Sequence, residues 1–362
     1  MKILTKIICL LLTGLLIFSC QVGERGQKPV KKVILMIGDG MGVAQVYAGL
    51  TANHGRLNLE RCSRIGFVKT YSADHYITDS AAGGTAFSTG KKTKNGMIGM
   101  SPDSVPVPTI LEIAEHHGLS TGLVSTSAIT HATPASFIAH QAARASYEDI
   151  AADFLKTDID VFIGGGWLHF TQRADGMNLT ADLKSKGYHV LRGIDSLDLV
   201  SSGKLACFTA DMHSPSILGG RDDVLQKATV KAIQILNENK KGFFLMIEGS
   251  MIDWGCHGND IAYVVSEMID FDRAVGKALD FAEKDGQTLV VITADHETGG
   301  LALTGGNFET GEVSAAFNSG DHTGTMVPLF AYGPGADMFS GICENTQVFD
   351  KIISLLDLDN PK

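Results

Sequence analysis

The chain has 362 residues, 44% of them hydrophobic and 19% charged, so it can bury a sizeable core and is neither disordered nor fibrous. Forty acidic residues against 30 basic ones give a net charge of −10, which excludes the basic stripe of a nucleic-acid-binding surface. A small anionic substrate stays open, because it needs only a local positive centre.

The chain opens with Lys2 and Lys6 ahead of an apolar run from Ile7 to Phe18, closed by Ser19-Cys20. A basic start, a short apolar stretch and a small residue before the cut describe a secretory signal peptide over 1–19. The run falls short of the roughly 20 apolar residues of a transmembrane helix. Cys20, directly after the small residue, resembles the cysteine of a bacterial lipobox, which is lipidated and becomes the mature N-terminus. The expectation is an exported protein of the periplasm or cell envelope. It would meet the membrane only through a lipid on Cys20, with residues 20–30 as lipidated cysteine and polar tether. Loss of the leader removes two lysines and leaves a charge of −12. No Pro- or Ser-rich linker divides the remainder, so 31–362 reads as one domain. Its cysteines, Cys62, Cys207, Cys256 and Cys343, form no CxxC pair and leave disulfide pairing open.

Apolar runs at Val33–Ile37, Thr121–Ser125, Val161–Ile163, Phe243–Ile247, Leu289–Thr293 and Val327–Tyr332 read as buried parallel strands. Helical stretches at Val107–His117, Ser146–Lys156, Asp222–Glu238, Ala262–Lys284 and Val348–Leu356 lie between or after them. The alternation predicts an α/β fold: a doubly wound, mostly parallel central sheet with helices on both faces. Ligands of such folds gather outside the carboxyl ends of the strands.

The residues just past these runs carry chemistry. Ile37 leads to Asp39, Ile247 to Glu248, Thr293 to Asp295-His296, and His131-Ala132-Thr133 follows Ser125 closely. One acid at a strand end is commonplace, because Asp also caps helices and opens turns. Several at one sheet edge would repel one another unless cations neutralise them. Asp253 and His257 stand four apart, on one face if that segment is helical, and carboxylate with imidazole suits zinc. Asp321-His322 offers a further imidazole. Asp79-Ser80, at the start of a run of small residues, puts a hydroxyl where a helix N-terminus favours an anion. No Gly-x-Ser-x-Gly elbow accompanies it, so its activation would fall to a metal. His116 and His117 read as helix-end residues that complement the dipole.

Seven segments together, ILMIGDGMG (34–42), TDSAAGGTAFSTGKKTKNG (78–96), HATPASFIAHQAAR (131–144), DVFIGGG (160–166), EGSMIDWGCH (248–257), TADHETGG (293–300) and HTG (322–324), resemble the alkaline phosphatase family in sequence and order. The resemblance implies a metal-dependent phosphomonoesterase acting on small phosphate monoesters. Ser80 would be the nucleophile that becomes a phosphoserine. Asp253, His257 and His322 would hold one zinc, and Asp39, Asp295 and His296 the second. Thr133 and Glu248, with Asp39, match a third site that is usually magnesium. Arg144 matches the arginine that grips the non-bridging phosphate oxygens, and Asp79 and Trp254 would stand beside it near the substrate. Members of the family are commonly homodimers.

Two positions depart from the family pattern. His131 stands where members with the full magnesium set have aspartate, so the third site is expected to bind magnesium weakly or to accept zinc or cobalt. Trp254 occupies a position that is often lysine or histidine, which removes a cation from near the phosphate. Cys256 reads as a small buried residue rather than a ligand. The stretch from Glu297 to Asp321 is short for the family, which points to an open entrance. Rival readings are a phosphodiesterase or sulfatase of the same superfamily and a non-catalytic phosphate-binding lipoprotein. Arg144 and Ser80 weigh against the first, and a complete nucleophile with six zinc ligands against the second.

Overall fold

The computed structural model describes residues 29–359. The signal peptide expected at 1–19, and the lipidated Cys20 with its tether up to residue 28, lie outside the described residues. No helix among the described residues is long and apolar enough to cross a membrane.

The strands are β1 (Lys32–Gly38), β2 (Arg64–Lys69), β3 (Ser120–Ala128), β4 (Val161–Gly165), β5 (His189–Arg192), β6 (Leu205–Phe208), β7 (Phe243–Gly249), β8 (Thr288–Thr293), β9 (Glu297–Thr298), β10 (Ala302–Asn307), β11 (Glu312–Ala316), β12 (His322–Thr323), β13 (Val327–Tyr332) and β14 (Gly341–Glu344). Ten of them form one sheet in the order β14-β2-β13-β8-β1-β7-β3-β4-β6-β5. The apolar runs of β1, β7 and β8 sit side by side at its centre, buried from Val33 to Gly38 and along the whole of β7 and β8. Each Val, Ile or Leu buried there contributes about 1.5–3 kcal/mol. Such continuous apolar strands need cover on both faces. The helices Val43–Ala52, Val224–Leu236 and Ile261–Asp285 pack on one another as one layer; Ser80–Thr89, Ile110–His116, Ala132–Ala135 and Asn345–Leu355 pack together as another.

One expectation is corrected. Val327–Tyr332 forms a strand as predicted, but β13 runs antiparallel to both β8 and β2, and every other pairing in the large sheet is parallel. After β8 the chain has no crossover helix. It stays at the carboxyl edge through β9 to β12, so β13 starts from that edge and must return. The short strands β2, β5, β6 and β14 escaped the sequence reading, because four to six residues carry too little periodicity.

Helix ends follow local capping. Thr109 and Glu112 form a capping box that starts the third helix at Ile110 rather than Val107. Asp260 accepts from the amides of Ala262 and Tyr263, and left-handed Gly286 ends that 25-residue helix. The same helix is tied down by Arg221, whose buried guanidinium donates to Glu267 and, at 2.8 Å, to Asp270. His117 places Nδ1 2.9 Å from the carbonyl of Ile113 at the end of its helix. Cys62, Cys207, Cys256 and Cys343 are buried free thiols.

Candidate active site

Strand register decides which acids meet. Ile37 of β1 pairs with Glu248 of β7 on one side and with Thr293 of β8 on the other. Asp39, Glu248 and Asp295 therefore emerge together at the carboxyl edge, and all three are fully buried. The order of strands reverses at β1, and the crevice at such a point is where ligands bind. Gly40 makes the turn with φ +73°; a Cβ there would lie 2.8 Å from Cα of Asp253 and 2.9 Å from Oγ1 of Thr298. Only glycine lets the helix Met251–His257 approach β1 this closely.

Asp39, Asp295 and His296 form the first ligand group, with donor atoms within 4.8 Å of one another. Nε2 of His296 stands 3.3 Å from Asp39 Oδ1 and 3.3 Å from Asp295 Oδ2. Both Asp39 oxygens and Asp295 Oδ2 are buried without a hydrogen-bond partner. Burial and the neighbouring carboxylates hold the Asp39 carboxyl well above its ordinary range and push that of Asp295 up to about 7. Burial pushes the His296 imidazole well below its ordinary range. Crowded carboxyl oxygens without hydrogen-bond partners beside a neutral imidazole are a donor set that suits a divalent cation.

Asp253, His257 and His322 form the second group. The first two lie four residues apart on one short helix, and Nε2 of His257 is 3.3 Å from Asp253 Oδ1. His322 comes from β12, with Nε2 3.6 Å from the same oxygen. Its Nδ1 donates to the carbonyl of Thr78 at 2.9 Å, and Nδ1 of His257 donates to that of Gly320 at 2.6 Å. Each ring thus spends Nδ1 on a carbonyl and keeps Nε2 for a metal. Burial raises the Asp253 carboxyl, but His257, His296 and His322 outweigh it and hold the group well below its ordinary range. The hydrogen bond with Asp253 pushes the His257 imidazole up to about 9. The rings of His296 and His322 stack at 3.5 Å, so the two groups adjoin.

Asp39, His131 and Glu248 form a third group. His131 Nδ1, Thr133 Oγ1 and Glu248 Oε1 are buried without a hydrogen-bond partner, while Ser125 donates to Glu248 Oε2 at 2.6 Å. Burial pushes the His131 imidazole down to about 3 and raises the Glu248 carboxyl. The set offers oxygens plus one neutral imidazole nitrogen, a poorer match to magnesium than an all-oxygen set. Trp254 stands edge-on to His131, with ring centres 6.1 Å apart, and His213 lies edge-on to both.

Ser80 is the first residue of its helix, and its Oγ lies 3.2 Å from His296 Nε2. Asp79 caps that helix by accepting from Ala82 N at 2.9 Å. Its other oxygen accepts from Gly96 N and from Arg144 Nη1, each at 3.0 Å. Arg144 is thereby tied to the residue before Ser80, with its side chain partly exposed. Gly83 brings the helix against the first group, for a Cβ there would lie 3.0 Å from the carbonyl of Asp295.

Asp39, Asp79, Ser80, His131, Thr133, Arg144, Glu248, Asp253, Trp254, His257, Asp295, His296 and His322 lie together at this edge, whereas His116 and His117 sit at the end of the Ile110–His116 helix. Cys256 is buried and accepts from Gln45 at 3.5 Å, and among the described residues no cysteine joins a ligand group. The stretch 297–321 folds into the β10–β11 hairpin against the Val43–Ala52 helix. Sequence reasoning passed over Asn95, which accepts from Asp79 N and donates to the carbonyl of Ile77. It also passed over Gln45, bonded to Glu297, and Thr298, which touches both the first and the second ligand group. Residue type alone carries no signal for such roles.

The chain matches the family model "Alkaline phosphatase" over residues 30–315. It is 34% identical to alkaline phosphatase 4 of Bacillus subtilis (strain 168), over 92% of this chain and 90% of that protein. The structure of alkaline phosphatase from the Antarctic bacterium TAB5 is 42% identical and superposes with a TM-score of 0.88, covering 92% of this chain and all of that one. Two variants of the TAB5 enzyme, with one histidine changed to glutamate or to aspartate, have magnesium bound in the M3 site; at the same identity and coverage their TM-scores are 0.87 and 0.86.

Proposed function

Because the chain belongs to the alkaline phosphatase family, we propose that this phosphatase is a two-zinc phosphomonoesterase that works through a phosphoserine on Ser80. The observation that carries the reading is the position of Ser80 Oγ, 3.2 Å from His296 Nε2 at the junction of two ligand groups. Asp253, His257 and His322 would hold one zinc, and Asp39, Asp295 and His296 the other. When bound, the ions supply Lewis acidity and positive charge at the transferring phosphoryl group.

The chain's own residues do the rest. Arg144, steadied by Asp79, presents its free N–H groups to the non-bridging oxygens of a dianionic monoester. Ser80 Oγ attacks phosphorus in line; the new P–O bond forms as the bond to the leaving alcohol breaks, and that alcohol takes up a proton. Water then attacks the phosphoserine, freeing inorganic phosphate and returning the hydroxyl to Ser80. At the third site, Asp39, Glu248, Thr133 and His131 would bind magnesium weakly or accept zinc or cobalt. The TAB5 variants that carry glutamate or aspartate in place of one histidine have magnesium bound in the M3 site, which agrees with an oxygen ligand suiting magnesium there.

The test compares a chromogenic phosphomonoester with the matching diester, with and without chelator, on the native protein and Ser80→Ala. We expect chelator-sensitive monoester turnover that Ser80→Ala lowers by roughly a thousandfold or more. Full activity in Ser80→Ala, or a preference for the diester, overturns the proposal. The reading includes export with lipidation of Cys20. Mass spectrometry of protein from the membrane fraction should find an acylated N-terminal Cys20, and an unprocessed Met1 start would refute that part.

A further inference from the structure

Besides Ser80, a second hydroxyl lies between the two zinc-type groups. Thr298 Oγ1 is 2.5 Å from Asp253 Oδ1, a ligand atom of one group, and 3.1 Å from Nδ1 of His296, a ligand residue of the other. Thr298 is fully buried and held from several directions. Its amide donates to the carbonyl of Gly40 at 3.3 Å, its carbonyl accepts from Gln45 Nε2 at 2.8 Å, and it pairs with His322 across the β9–β12 ladder. The Oγ1 atom is therefore fixed in place, and its single proton decides the direction of both bonds.

An ionised Asp253 can only accept, so the Thr298 proton points to Asp253 and the hydroxyl oxygen must accept from His296. That requires the tautomer of His296 with hydrogen on Nδ1. Nε2 is then a bare lone pair, aimed at Ser80 Oγ and at the space beside Asp39 and Asp295. Both effects favour metal binding: one ligand keeps its negative charge, and the other presents the correct nitrogen.

We propose that Thr298 is a positioning residue whose hydroxyl bridges the two metal groups, orienting Asp253 in one and fixing the ligating nitrogen of His296 in the other. The proposal rests on the two-zinc reading above, and it makes a demand that reading does not. One isosteric substitution, outside both ligand sets, must weaken both groups together. Thr298→Val keeps the shape and removes both hydrogen bonds, and Thr298→Ser keeps the hydroxyl.

The experiment is zinc titration of metal-stripped protein in competition with a chromophoric chelator, with metal content checked by mass spectrometry. The native protein should show two tight steps. Thr298→Val should weaken both by roughly 10- to 100-fold, the range for lost partners of metal ligands, and Thr298→Ser should restore them to within about threefold. Weakening of one step alone, or of neither, overturns the proposal and leaves the two-zinc reading standing. Failure of the native protein to take up two zinc ions overturns that reading and the inference with it. Thermal unfolding of the metal-free proteins checks the fold, and should Thr298→Val not fold, Thr298→Ala carries the same comparison.

Discussion

Ser80 Oγ and His296 Nε2 meet at 3.2 Å although 216 positions separate them in sequence. The contact joins a helix N-terminus to the end of a central strand. It puts the hydroxyl beside a nitrogen that also faces Asp39 and Asp295. Hydroxyl, imidazole and carboxylates are thereby gathered into one cluster, so small changes around the edge should have separable effects.

Arg144 donates to Asp79 with one nitrogen, so Arg144→Ala should remove phosphate affinity without removing the helix cap, which Asp79 still makes to Ala82. Loss of a charge-assisted contact to phosphate is expected to weaken product inhibition by inorganic phosphate roughly 10- to 100-fold. Inhibition constants at fixed pH measure this. Thermal stability should stay close to native.

His131→Asp replaces a buried neutral nitrogen by an oxygen in the group of Asp39 and Glu248. Magnesium prefers oxygen ligands, so the variant should retain near-stoichiometric magnesium after dialysis and the native protein far less. Elemental analysis decides it; tight stoichiometric magnesium in the native protein would contradict the prediction.

The metal-free protein should lose stability as pH rises from about 6.5 to 9. His257 has its folded-state pKa raised to about 9, so it binds more protons folded than unfolded in that window, and its stabilising contribution fades on the alkaline side. Asp295, raised to about 7, acts in the same direction from about pH 4 up to 7. His131 and His296, both lowered, are neutral in the folded state but still partly protonated when unfolded near 6.5, so they oppose the trend only up to about pH 7.5. Zinc should reverse the trend, because it binds the deprotonated ligands. Melting temperatures with and without chelator at pH 6.5, 7.5 and 9 should diverge steadily.

Arg221→Met would leave Glu267 and Asp270 buried without their cation. Breaking one side of such a cluster costs about 3–5 kcal/mol, so the denaturation midpoint should fall sharply. A triple change to apolar residues of similar volume should recover most of the loss, which separates an unpaired charge from a lost shape.

Most of the candidate site was legible in the chain itself. Asp39, Glu248, Asp295 and His296 follow apolar runs that can only be central strands, and Asp253 and His257 carry the spacing of one helix face. Those signals are local: they come from the period of a strand or helix and from the residue types at its end. Tertiary structure decided what local signals cannot hold. The register of β1 between β7 and β8 chose which acids share a group, and the chain's stay at the carboxyl edge turned β13 against its neighbours. The close approach at Gly40 set Thr298 between Asp253 and His296. Convergence of this kind depends on strand order and on distances of a few ångströms between residues far apart in sequence, and a threonine reads the same in a sequence whether it bridges two metal groups or fills a turn.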